Sequence, residues 1–254
     1  TSFLLLFGIN LHTIAQVQVA TFIPFEDVGI MESSPSTSFG YGPMPCGHTC
    51  SGFQSRVLMR FIVSSIPPGS TIISVNLTVH STALASSGSN SATYSLHALT
   101  QGFIEYLFAG GSGSGADWQQ AGSGYIYYPW NTPGGDFSTD TLSSQLIPHT
   151  LGPNNFPTSA NFVSLVQSWV DSPSLPSMGI IMIADTLPCD TEKYFDSKEG
   201  SAPPVLEVTY VLPCSGPTAI CQDINVYLDG TGNATIADDD INGGSLDDCG
   251  TGLT

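Results

Sequence analysis

Arg56 and Arg60 are two of only four Lys and Arg residues in the chain, set against 21 Asp and Glu. In Arg56-Val57-Leu58-Met59-Arg60-Phe61-Ile62-Val63 the apolar pattern alternates, so both arginines fall on one face of a strand. Guanidinium groups placed side by side could hold the carboxylate of a uronate sugar in bidentate fashion. The alternative is an inter-strand network in which Glu105, Glu199 or Glu207 neutralises them. A second candidate is the run Tyr125-Ile126-Tyr127-Tyr128-Pro129-Trp130-Asn131. Sugar rings stack their apolar faces on aromatic side chains while amides and carboxylates meet the hydroxyls, and this run supplies that mixture. Tyr125, Tyr127 and Tyr128 are the rings expected to bind, whereas Trp118, Trp130 and Trp169 are expected in the core.

Oxygen-rich segments point to a third chemistry. Asp238, Asp239 and Asp240, with Asp247 and Asp248 beyond them, offer hard ligands for calcium; solvated acidic loops have the same composition. Glu26 and Asp27 are a further pair that could hold a structural ion. Catalysis finds less support. Glu105, Asp117 and Asp136 are acids in loops with no spacing that pairs them across a cleft. No Gly-x-Ser-x-Gly elbow occurs, and His80 and His97 fall in strand patterns. The chain is therefore expected not to be an enzyme.

The elements that must position these residues follow from composition and periodicity. Charged residues are 10% of the chain, against about 25% in an average soluble domain, and the net charge is −17. Such a surface repels phosphate, which argues against nucleic acid and anionic membranes as partners. Apolar residues at 41% suffice for a core, while 27 Gly and 18 Pro argue against a helical bundle. Alternation predicts strands over 56–63, 72–80 with Ile73, Val75, Leu77 and Val79 inward, 93–99, 179–184 and 205–212. Phe162, Leu165, Val166, Trp169 and Val170 keep helical spacing behind a Ser159 N-cap. Many short strands and one helix predict an all-β sandwich. After Pro213 a linker leads to a new strand starting at Cys221 and a turn at Asp229-Gly230-Thr231-Gly232-Asn233.

The apolar opening Phe3-Leu4-Leu5-Leu6-Phe7-Gly8-Ile9 is too short to span a bilayer and predicts a signal peptide over residues 1–16, with a buried first strand as the alternative. Export would make the six cysteines candidates for disulfides. Cys46 and Cys50 could staple their own loop; a zinc site of Cys46, His48 and Cys50 is the other reading.

Several segments together resemble the DNRLRE-domain family of secreted bacterial proteins. They are Arg56 to Phe61 continuing through Ile66-Pro67-Pro68-Gly69 to Val75-Asn76-Leu77; the loop from Glu105 to Asp117-Trp118; Phe162 to Val170; and Phe195-Asp196-Ser197-Lys198-Glu199 before Pro203 to Tyr210. Glu26-Asp27-Val28 is similar to the family's opening Asp motif. Departures are Lys198, where the family usually has Arg, and the inserted Cys46–Cys50 loop. The resemblance spans residues 17–212 and implies a jelly-roll-like β-sandwich. It also implies that Lys198 lies near the arginines, and it makes the module a candidate binder of carbohydrate, including uronate polymers such as alginate. Residues 213–254, through Cys221, Leu228 to Ile236 and Gly244 to Gly250, resemble the start of a HYR or immunoglobulin-like surface repeat of Bacteroidetes type.

The expectation is thus a secreted or cell-surface protein, not inserted in a membrane, whose sandwich binds a plant or algal polysaccharide through Arg56, Arg60, Lys198, Tyr125, Tyr127 and Tyr128. Calcium at residues 238–240 is the expected cofactor, and further repeats of the chain are expected partners. The alternative is a structural module of a multi-repeat adhesin that binds no glycan.

Overall fold

The computed structural model of the 254-residue chain describes residues 17–85, 90–105, 115–122, 128–173, 177–213, 220–237 and 240–245. The expected signal peptide lies outside them. Fourteen named strands are β1 (Val17–Phe22), β2 (Glu26–Met31), β3 (Ser38–Phe39), β4 (Met44–His48), β5 (Gln54–Arg60), β6 (Thr71–Leu84), β7 (Ala92–Leu99), β8 (Gln120–Gly122), β9 (Tyr128–Pro129), β10 (Phe137–Ile147), β11 (Gly152–Phe156), β12 (Ile180–Ala184), β13 (Lys193–Phe195) and β14 (Val205–Val211). One helix, α1 (Ala160–Asp171), interrupts them. The protein is an all-β, sandwich-like fold.

The strands form one curled sheet in the order β1-β14-β6-β13-β4-β5-β12-β7-β10, with β11 on β6 and β2 on β5; β8 and β9 pair separately. The corner is made by β4, whose Met44, Pro45 and Cys46 pair with β13 while Gly47 and His48 pair with β5. Strands that change partners in this way turn one layer of a sandwich into the other. Gly47 is required there: its φ is +148°, and a Cβ would lie 2.2 Å from the Glu192 Cα.

Alternation accounts for the inner core, where Val57, Met59, Phe61, Val75, Leu77, Val79, Leu96 and Val208 are buried. Leu58 is buried too, although it shares a face with Arg56 and Arg60. The outer face of β2 and β5 is itself covered: Val28, Ile30, Leu58 and Ile181 pack against Phe103, Ala116, Trp118 and Trp130 of the long β7–β10 connection. Ile73 is exposed and Ile72 buried, the reverse of the expected start of β6. The ladder is interrupted at this end, because the Ile72 N–H donates to Gln167 Oε1 and the Val75 N–H to Thr158 Oγ1. Ser159 caps α1 by accepting from the Phe162 N–H, and Phe162, Val166 and Val170 face the core.

Cys50 pairs with Cys189, not with Cys46. Cys46 sits in β4 facing the interior, its thiol donating to the Met182 carbonyl, and burial pushes its pKa well up. The local staple and the zinc reading of Cys46, His48 and Cys50 therefore both give way to a bond between distant loops.

The chain divides into two compact units, one of residues 19–210 and the other of 1–18 with 211–254. In the second unit the strand expected from Cys221 is reduced to an isolated bridge between Cys221 and Asn242. Nearly every residue of 221–228 is exposed, so alternation there has no partner face to bury against. The Asp229 turn does form: its Oδ1 accepts from the N–H groups of Thr231 and Asn233. No helix among the described residues is long and apolar enough to cross a membrane.

Candidate functional site

At the start of β2 and the end of β5, antiparallel register sets Glu26 opposite Arg60 and Asp27 opposite Met59. Arg60 and Glu26 form an ion pair, and the guanidinium lies 5.7 Å from the Phe25 ring centroid and 5.9 Å from that of Phe103. Two loops close on this corner. The loop after β7 brings Glu105, whose Oε2 accepts from the Asp27 N–H at 3.0 Å and whose own N–H reaches Glu26 Oε1 at 3.4 Å. The loop after β13 brings Lys198, which donates its backbone N–H to Asp27 Oδ2 at 2.8 Å. The Lys198 ammonium pairs with Glu105 Oε2 and lies 3.4 Å from Glu199 Oε1.

Four carboxylates thus meet two cations. Asp27 is 0% exposed and Glu105 7%. Desolvation raises the Asp27 pKa to about 7, against the hydrogen bond from Lys198; the neighbouring Glu105 and Glu199 charges add to the rise. Burial likewise raises Glu105, with Lys198 opposing it. One oxygen of each, Asp27 Oδ1 and Glu105 Oε1, is buried with no hydrogen-bond partner. Asp27, Glu105 and Glu199 each bring a carboxylate oxygen within 4.8 Å of the others, the one such group of acids among the described residues.

Beside the cluster is an open depression of about 490 Å³ lined by Ile23, Pro24, Phe25, Ile62, Lys198 and Glu199. Phe25 is 56% exposed and Ile62 50%. The depression has an apolar wall holding an aromatic ring and a charged wall holding an ion pair.

The other expected site residues are scattered. Arg56 is on the same strand face as Arg60 but turns away: Nη1 donates to the Gly134 carbonyl at 2.7 Å, Nη2 to Gln54 Oε1 at 2.9 Å, and the guanidinium stacks over Trp118 and Phe137. Tyr128 is half exposed in β9, far along the covering loop, and Tyr125 and Tyr127 lie outside the described residues. Trp118 and Trp130 are buried; Trp169 is half-buried on α1 and lines a shallow hollow with Leu99 and Met178. Asp240 is exposed and its carboxylate accepts from the Ala237 N–H; Asp238 and Asp239 lie outside the described residues.

Phe25 and Ile62 were not among the expected ligand contacts, since each reads as one more apolar residue beside a strand. The exposed face of Phe25 is visible only once β2 and β5 are paired. No model of a protein family and no curated protein sequence matches this chain, so its site is defined by its own geometry.

Proposed function

We propose that residues 19–210 form a non-catalytic, extracellular carbohydrate-binding module whose ligand sits in the depression between Phe25 and Lys198. The observation that carries this reading is the half-exposed Phe25 ring beside Ile62 and the Lys198–Glu199 pair. A sugar needs this pairing of an apolar platform with charged hydrogen-bonding groups at its rim. The resemblance to DNRLRE modules supports the same class of ligand, and the Cys50–Cys189 bond fits an oxidising compartment.

The partners of the cations bear on which sugar. Arg60 and Lys198 are already paired with Glu26, Glu105 and Glu199, so neither cation is available to a uronate carboxylate. A neutral plant or algal polysaccharide fits the corner better. Affinity electrophoresis of the full chain through gels of neutral and uronate polysaccharides tests this. A neutral glycan should retard the protein and Phe25→Ala should abolish the retardation. Retardation by alginate alone would contradict the assignment of a neutral ligand.

A second reading, a structural module of a surface adhesin, is favoured by one specific observation: Arg56, Arg60 and Lys198 are all held by groups of the same chain. Free migration of the folded protein through every glycan gel would select it.

A further inference from the structure

We propose that Asp27, Glu105 and Glu199 form a calcium-binding site that ties β2 to the loops after β7 and β13. Two structural observations and two chemical arguments converge on it. The three side chains bring carboxylate oxygens within 4.8 Å of one another; oxygens on opposite sides of a calcium ion stand about 5 Å apart, given Ca–O distances of about 2.3–2.6 Å. Two of the three carry a buried oxygen with no donor, Asp27 Oδ1 and Glu105 Oε1. Buried acceptors are nearly always satisfied, and a carboxylate oxygen left bare is costly, so these atoms call for a ligand.

Charge gives the third argument. With all four acids ionised, Glu26, Asp27, Glu105 and Glu199 exceed Arg60 and Lys198 by two negative charges, the charge of one divalent cation. The chemistry of the donors is the fourth. All are hard carboxylates, and no His or Cys belongs to the group. Calcium tolerates irregular carboxylate geometry, whereas magnesium requires a near-ideal octahedron and retains several waters. Lys198 does not fill the site: its ammonium takes Glu105 Oε2 and leaves Oε1 bare.

The site shares Lys198 and Glu199 with the depression but does not rest on its binding a sugar. It is also distinct from the acidic stretch at residues 238–240.

Calorimetric titration and thermal unfolding of the full chain, stripped with chelator, test the assignment. Calcium should bind at one equivalent and raise the midpoint by roughly 5 °C at saturation, because an ion bound only by the folded state stabilises it. Magnesium at the same concentration should do much less. Glu199→Gln, at an exposed position, should weaken calcium binding at least tenfold. Asp27→Asn should abolish the response while still folding in chelator, and Asp240→Asn should leave it intact. The proposal is overturned if the folded protein shows no calcium response, if Asp27→Asn and Glu199→Gln both respond as the parent does, or if magnesium matches calcium.

Discussion

Two of the places where the described residues bury charge are built in opposite ways. Lys193 in β13 is 0% exposed, yet its ammonium donates to the carbonyls of Asn90 at 2.7 Å and Thr191 at 3.1 Å and lies 5.6 Å from the Tyr94 ring centroid. Around it the Tyr94 hydroxyl donates to the Thr191 carbonyl, and the Ser55 hydroxyl to buried Glu192. At the Asp27 corner the acids outnumber the cations and two oxygens stay bare. A buried charge with its partners supplied serves the fold, because removing it orphans those partners. A buried charge short of partners weakens the fold until something else arrives.

Substitutions should separate the two. Lys193→Ala should have the largest effect, lowering unfolding stability by about 3 kcal/mol, through a cavity and bare carbonyls; urea denaturation measures it. Asp27→Asn should act with the opposite sign. Its carboxyl has a pKa raised above the unfolded value of 3.8 to about 7, so the stability linked to it is full below pH 4 and lost as pH rises through 7. In chelator at pH 8 the Asn variant should therefore be more stable than the parent, by roughly 1–3 kcal/mol, and the gap should close at pH 4. A loss of stability at pH 8 would put Asp27 in the same class as Lys193 and break the contrast.

Phe25→Ala should change stability by less, about 1 kcal/mol, since half the ring is already in water, while removing retention on glycan gels. His97 should give the smallest signal. It is a partnered group, within reach of the Ser138 carbonyl and the Ser95 hydroxyl, and burial lowers its pKa. A lowered histidine pKa costs stability as pH falls below the unfolded value near 6.5, the reverse of Asp27. His97→Gln should flatten that shallow acid limb in a pH series of urea midpoints.

Much of the sandwich was legible because its strands alternate apolar and polar residues, and α1 because Ser159 and the Phe162–Val170 stripe mark it. β10 escaped because nearly half of Phe137 to Ile147 is Ser and Thr, and only Leu142, Ser143 and Ile147 are buried. The second cluster over Leu58 was hidden by distance along the chain, since its cover comes from Phe103, Ala116, Trp118, Ala121 and Trp130. The same holds for the site. Glu105 and Glu199 could be named as partners of the cations, and Asp27 as an ion ligand, each from its own neighbourhood. Their meeting depends on contacts across 78 and 93 residues, which no local pattern encodes.

The Cys50–Cys189 bond spans 139 residues and encloses β5 to β12. A protease that cut any exposed loop within that span would open the backbone without releasing a fragment. The two pieces would still migrate as one species until a reductant was added, so a single cut within that span leaves residues 19–210 covalently in one piece.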